Sequence, residues 1–278
     1  MLTRLLKLLI SIVFYFVYSR SVWIFRLFKN NIPGTIAILT YHSVKPYQCQ
    51  QFEKQMDCLV KVGRAVFADI SDSLSSRQHH IAVTFDDGFQ SLLLNALPAM
   101  RVRNIPVIIF VTTGNLAAKP HWLRGSNHKD ADEVLFTIEQ LRLLPENLVT
   151  IGSHCVTHLN LTEIDANAAT RELVDSKEAL EQILGRRVNL LSFPHGAYNQ
   201  KIIDLSKSAN YDHVFSNIPT FSFSKNGDYL MSRISISLDD WMIEFRLKIL
   251  GAYQWLSFAV KLKHRIKAVS KEVLEWWN

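Results

Sequence analysis

The chain has little cysteine. Its three thiols, Cys49, Cys58 and Cys155, are too sparse and odd in number for a disulfide framework, and such a set fits a reducing compartment. It also lacks Gly/Ser- or Pro-rich linkers, low-complexity tracts and any internal repeat at solenoid periods. That excludes an array of small modules. With 278 residues, 48 % of them hydrophobic, the chain can bury one large α/β core or two small ones. It reads as one catalytic-sized domain with appended ends.

An even spread of charge is missing as well. The net charge is +6, but residues 1–30 carry Arg4, Lys7, Arg20, Arg26 and Lys29 without one acid. Residues 243–278 carry seven Lys or Arg against Glu244, Glu272 and Glu275. The ends therefore contribute +5 and +4 and leave −3 for the middle. A middle with no basic stripe argues against a nucleic-acid partner, whereas basic ends suit an anionic membrane surface.

No apolar run is long enough to span a bilayer comfortably. The unbroken stretch Leu8–Tyr18 is about half of the roughly 20 residues a spanning helix needs. No small-residue cleavage site follows it, since "YSRSVW" is bulky and charged. Arg4, Lys7, Ser11, Tyr15 and Tyr18 recur at three- and four-residue steps, as on the polar face of a helix. Residues 1–30 thus read as a membrane-associating helical segment lying in the interface. A spanning anchor and a helix packed on the domain itself stay open. Residues 241–278 read as a C-terminal amphipathic helical extension, in which Trp255, Trp276 and Trp277 suit an interface or cover the core. The positive flanks favour a membrane-associated protein on the cytoplasmic face of the inner membrane.

What the middle does have is alternation. "TIAILTYHSV" (35–44) reads as a strand and "QFEKQMDCLVKVG" (51–63) as an amphipathic helix with a glycine stop. Strand "HIAVTFDDG", a helix broken near Pro98, and strand "IPVIIFVTTG" follow. Helix 137–147, strand "LVTIGSH", helix 170–185, strand "NLLSFPHG", helix "NQKIIDLSKSAN" and "HVFSNI" complete the series. Six such alternations predict an α/β fold with a parallel sheet and crossover helices. In a (β/α) barrel the carboxyl ends of the strands meet at one face, where active sites lie. His42, Asp86–Asp87, His154 and His195 each follow a strand, so they are expected to converge.

Two adjacent acids at the end of an apolar strand repel each other unless a cation neutralises one. "GSHCVTHLNLT" carries His154 and His158, whose four-residue step puts both imidazoles on one side of a helical turn. Two His and one carboxylate with an open position is an established catalytic zinc arrangement. Asp87 can supply the carboxylate, and Asp86 is then free to act as general base on the metal-bound water. The reaction implied is metal-assisted hydrolysis.

"TFDDG", "SHCVTH" and "SFPHGAYN" resemble, in order and approximate spacing, the motifs of the polysaccharide deacetylase family, also described as the NodB homology domain or carbohydrate esterase family 4. The resemblance covers roughly residues 35–240. It implies a distorted (β/α) barrel that removes an N-acetyl, or occasionally another acyl, group from a sugar. It also implies that Asp86 is the base, that Asp87, His154 and His158 are the metal ligands, and that Pro194, His195, Gly196 and Tyr198 wall the substrate groove. Zn²⁺ is the expected ion, with Co²⁺, Ni²⁺ or Mn²⁺ able to occupy the same ligands. The expected substrate is a carbohydrate or a lipid-linked sugar.

The chain departs from the family pattern in three places. Where many members have an Arg that orients the base, two residues before Pro194, this chain has Ser192; Arg233 in "LMSRISI" is the candidate substitute and is grouped with the groove residues. "LDDW" (238–241) faintly resembles the fourth motif, though a helix N-cap at Asp239 or Asp240 is the preferred reading. No fifth-motif histidine is evident beyond His264 in the basic tail, so His42 is taken as general acid, since an unperturbed imidazole titrates near pH 6.5, with His195 as the second candidate. A structural, hydrogen-bonded His42 stays open. His79, His80, His121, His128 and His213 read as surface or loop residues, and Cys155 as a small buried residue. Three functions are consistent with this pattern: a metal-dependent sugar N-deacetylase, a deformylase or O-deacetylase on a lipid-linked sugar, and a sugar-binding protein without catalysis.

Overall fold

The computed structural model describes residues 2–28, 34–69, 78–218, 222–223, 229–257 and 259. The long N-terminal helix α1 (Leu2–Phe28) precedes strand β1 (Thr35–Tyr41), helix α2 (Cys49–Val62) and strands β2 (Arg64–Ala65) and β3 (His79–Phe85). Helices α3 (Ser91–Asn95) and α4 (Leu97–Val102), strand β4 (Val107–Val111), helix α5 (Ile138–Arg142) and strand β5 (Val149–Ser153) follow. The chain then forms helix α6 (Ala166–Leu184), strand β6 (Leu190–Ser192), helix α7 (Gln200–Ser208) and strands β7 (His213–Ser216), β8 (Ser222–Phe223), β9 (Leu230–Ser232) and β10 (Ile234–Ser235). Helix α8 (Met242–Ile249) packs on the outside.

The strand order β10-β1-β3-β4-β5-β6-β7-β9 is parallel throughout. Its two ends, β9 and β10, are separated in sequence by Arg233 alone, one bonding to β7 and the other to β1. One bend thus nearly closes a (β/α) barrel, with the helices outside it.

Period-2 alternation of the strands divides the core in two. Ala37, Leu39, Ile81, Val83, Val107 and Ile109 point outward and meet the helices in the larger cluster. Ile36, Ile38, Ala82, Ile108, Phe110, Leu190 and Phe215 point inward and plug the barrel. Gly152 is required where β5 crosses this plug, because a Cβ there would sit 2.5 Å from the Phe110 ring. Continued by two residues, the inward rows run Ala82–Thr84–Asp86 and Leu190–Ser192. The fold thereby stacks a polar layer on an apolar floor.

The helices lie where their sequence signals place them, with local differences. The break expected near Pro98 falls at Ala96, with Pro98 in the first turn of α4. Helix α6 starts one turn earlier than expected, because the Asp165 side chain caps it by accepting the Ala168 N–H at 2.9 Å. Gly185 ends it in the left-handed region (φ 66). Neither Asp239 nor Asp240 caps α8: Glu244 reaches back to accept the Trp241 N–H at 2.9 Å, while Asp240 pairs with Lys248. His79 and His80 are not loop residues. They open β3, and His80 is 2 % exposed. His264, Trp276 and Trp277 lie outside the described residues.

Candidate active site

His42, Asp86 and His154 each stand one residue beyond a barrel strand, and His195 three beyond β6, at the same end. Asp87 departs from strand geometry (φ 72), as do Cys155 (φ 64), His158 (φ 60) and His195 (φ 59). Such left-handed conformations are costly for residues with a Cβ and cluster where a site demands them. They also correct the expectation of a helical turn at His154–His158. Residues 154–160 form an irregular loop, and the turns at Cys155 and His158, rather than helical periodicity, bring the imidazoles together.

Asp87, His154 and His158 are all buried, with one donor atom from each within 4.8 Å of the others. Asp87 Oδ1 lies 3.4 Å from His158 Nε2 and 3.7 Å from His154 Nε2. Metal–ligand bonds of about 2.0–2.2 Å at tetrahedral angles place neighbouring donors about 3.3–3.6 Å apart. Asp87 Oδ1 is buried and accepts no hydrogen bond, an expensive state for a carboxylate oxygen without a cation. His154 Nδ1–H donates to the Ser192 carbonyl at 2.7 Å, which turns the Nε2 lone pair toward Asp87. Burial lowers His154 to about 4, against the pull of Asp86, and lowers His158 to about 2, helped by His154 and His195. Both imidazoles are therefore neutral near pH 7, the form that ligates a metal. Burial, Asp86 and Asp130 push Asp87 well above the usual carboxylate range. The three residues fit a divalent cation.

Asp86 has the opposite environment. Arg233, 0 % exposed, grips it with Nη1 on Oδ1 at 2.7 Å and Nη2 on Oδ2 at 2.8 Å. Arg233 also donates to Ser192 Oγ (2.7 Å), Asn217 Oδ1 (2.9 Å) and Thr84 Oγ1 (3.2 Å). Burial pushes the Asp86 carboxyl up, but Arg233, His154 and His42 pull it down further, so it is ionised well below the usual range. Arg233 was expected among the groove residues. Its place is behind the carboxylate, on the barrel seam, out of reach of solvent.

The remaining expected residues lie around this pair. Pro194, His195 and Gly196 make a tight turn, and the His195 ring sits 4.7 Å from that of His158. Gly196 (φ 65) brings the turn against Asn217, where a Cβ would meet Asn217 Cβ at 2.9 Å. Tyr198 is half-buried and stacks on Phe193. His42 is half-buried, and burial lowers its pKa against the pull of Asp86 and Asp130. Its ordinary titration near neutrality is thus not what the fold provides. Asp239 and Trp241 belong to the α1–α8 contact, with Trp241 under the Arg4 guanidinium at 4.4 Å.

The family model for polysaccharide deacetylase matches residues 74–214, just over half of the chain. The chain belongs to the polysaccharide deacetylase family. The polysaccharide deacetylase-family protein YxkH of Bacillus subtilis (strain 168) is 23 % identical over 228 residues, 78 % of this chain and 75 % of that one. The Streptococcus pyogenes deacetylase PplD, solved in complex with acetate, superposes with a TM-score of 0.63 at 21 % identity, over 78 % of this chain and 99 % of that one. IcaB from Ammonifex degensii gives 0.61 at 20 % identity, over 79 % and 97 %. These structures share the fold.

Three residues of this polysaccharide deacetylase site had no signal in the family motifs. Trp122, from the loop after β4, stacks on the His158 ring at 4.5 Å and 14°. Asp130, 1 % exposed in the same loop, accepts from Ser43 Oγ beside His42. Glu172 on α6 accepts the N–H groups of Val156 (2.8 Å) and Thr157 (2.9 Å) and the Thr157 hydroxyl (2.5 Å). It clamps the loop that carries both histidines. A glutamate on the buried stripe of α6, beside Leu173 and Ser176, was the available clue.

Proposed function

We propose that this protein is a metal-dependent hydrolase that removes N-acetyl groups from a sugar of a polysaccharide or lipid-linked glycan. The observation that carries the reading is the split pair at the end of β3. Asp86 is held ionised by Arg233, while Asp87 turns away to face two neutral imidazoles. Asp87, His154 and His158 would hold the cation, with Zn²⁺ as the ion best suited to a His₂Asp set. Bound there, it would supply a Lewis acid that polarises the acyl carbonyl. Asp86 takes a proton from water as the water oxygen bonds to the acyl carbon. Breaking the C–N bond then needs a proton on the leaving nitrogen, and His42 is the proposed donor. Burial keeps this imidazole neutral at rest, so the proton it gives to the leaving nitrogen is the one Asp86 took from the water, passed on to His42 before the C–N bond breaks. Pro194, His195, Gly196 and Tyr198 wall the sugar groove, and Trp122 screens His158 from water. Arg233 supports catalysis over binding alone, because it supplies the guanidinium whose absence at Ser192 favoured a non-catalytic reading.

The substrate is proposed to be held at a membrane, on the cytoplasmic face, in keeping with the basic residues 1–30 and three unpaired cysteines. The test is acetate release from N-acetylated oligosaccharides and from a polyprenyl-linked N-acetylhexosamine. Chelator should abolish release, Zn²⁺ or Co²⁺ should restore it, and Asp86→Asn and Asp87→Ala should each lower it at least ~10³-fold. Full activity in either variant overturns the assignment. Formate or another acid in place of acetate changes the acyl group and keeps the site.

A further inference from the structure

Helix α1 is mounted the wrong way round for a soluble protein. A surface helix ordinarily turns its apolar stripe inward and its polar stripe to water. In α1 the stripe that meets the domain is Arg4, Leu8, Ser11, Tyr15 and Tyr18. Arg4 Nε bonds both Glu244 oxygens at 2.9 Å and its guanidinium lies over Trp241, while Trp255 Nε1–H donates to the buried Ser11 Oγ at 2.9 Å. The opposite stripe is apolar and open, interrupted by the exposed Arg20 between Phe16 and Ile24. Leu6, Leu9, Val13, Phe16 and Ile24 are 50–64 % exposed. Only 11 % of the most apolar 18-residue window is buried. An exposed apolar face of this length marks an interaction surface.

Charge selects the occupant. Lys7 and Arg20 are exposed, and residues 1–30 carry five basic side chains without an acid, which complements anionic lipid headgroups. Geometry selects the orientation. The docked contacts run from Arg4 to Tyr18, about 21 Å of helix at 1.5 Å per residue. A helix crossing the roughly 30 Å hydrocarbon layer would have to draw α8, with Arg246 and Lys248, into lipid beside it. Lying flat, α1 keeps every one of these contacts. α8 descends from the catalytic end of the barrel to the start of β3, where Ile249 accepts from His79, and α1 runs alongside it.

We propose that α1 is a bilayer-docking helix that lies in the plane of an anionic membrane, apolar face down and polar face clamped to α8, so that the barrel rests on its side with its catalytic end facing along the membrane surface. That placement suits a sugar presented at the bilayer, and this last consequence alone rests on the deacetylase reading.

The test uses the full chain with phosphatidylcholine vesicles made with and without phosphatidylglycerol. Flotation should require the anionic lipid, and Val13→Glu with Phe16→Glu should weaken it at least ~100-fold. Acetate release from a soluble oligosaccharide should be unchanged in that variant, which separates failure of docking from failure of the deacetylase reading. Spin labels at Leu6, Val13 and Ile24, in a chain with Cys49 and Cys58 changed to Ser, should report one shallow depth. A deep Val13 label between two shallow ones makes α1 a spanning helix and overturns the proposal. So does equal flotation of the double variant.

Discussion

Arg233 makes the site depend on one guanidinium. It is fully buried and donates to four side chains, and its pair with Asp86 is desolvated on both sides. Removing one member of a buried pair leaves the other charged and unpartnered, at a cost of about 3–5 kcal/mol. Arg233→Met is therefore expected to lower stability by that amount in denaturant titration. It should also raise the Asp86 pKa, since the charge that holds it down is gone. The acid limb of the pH–rate profile, absent down to the carboxylate range in the parent, should then move toward neutrality. Arg233→Lys keeps a charge but cannot form the two-pronged contact, so its limb should fall between the other two. An unchanged profile in both variants would remove Arg233 from the positioning of Asp86.

Among elements, the loop after β5 shows how a candidate metal site is held without a helix. Its two histidines, the proposed ligands, are four residues apart, yet the backbone between them is irregular, and Glu172 on α6 supplies the order that helical hydrogen bonds would have given. Outer partners of ligands are typically worth 10–100-fold in metal affinity. Glu172→Gln keeps the size but removes the negative charge that the Val156 and Thr157 N–H groups and the Thr157 hydroxyl share. Competition with a chromogenic chelator should show Zn²⁺ affinity lowered by ~10–100-fold while the fold is retained. Equal affinity would make Glu172 an ordinary buried cap. The same elements show what the sequence made legible. The strand ends before Asp86 and His154 were readable because apolar runs stop there, and Gly185 and Pro98 mark helix ends by local sterics. The Arg233–Asp86 pair was only a candidate, because 147 residues separate partners that meet through barrel closure. Trp122 and Asp130 lie in a loop with no periodicity and were invisible. α1 was read from a polar stripe that the fold then turned inward.

At the scale of the molecule, burial of imidazoles couples stability to pH. His42, His79, His80, His154 and His158 are all lowered, in each case chiefly by burial. An imidazole whose folded pKa lies below its unfolded value of about 6.5 stays neutral in the native state while the unfolded chain takes up a proton. Each group therefore costs up to about 1.4 kcal/mol per pH unit as pH falls from 6.5 toward its folded pKa, about 4 for His154 and about 2 for His158. Asp69 and Asp87 are raised and act in the other direction, favouring the native state as they protonate. Five groups against two leave a net loss on acidification. A cation on Asp87, His154 and His158 keeps protons off those ligands in the native state, so it should steepen the fall, and its loss should leave the shallower slope of the free groups. Chelator-treated protein should thus show a denaturant midpoint that falls steadily from pH 7 to pH 5. Zn²⁺ should raise the midpoint at pH 7 and lose that benefit as protons displace it. Midpoints that are level across this range, with and without Zn²⁺, would mean that these imidazoles are already solvated and that the three ligands do not form a closed site.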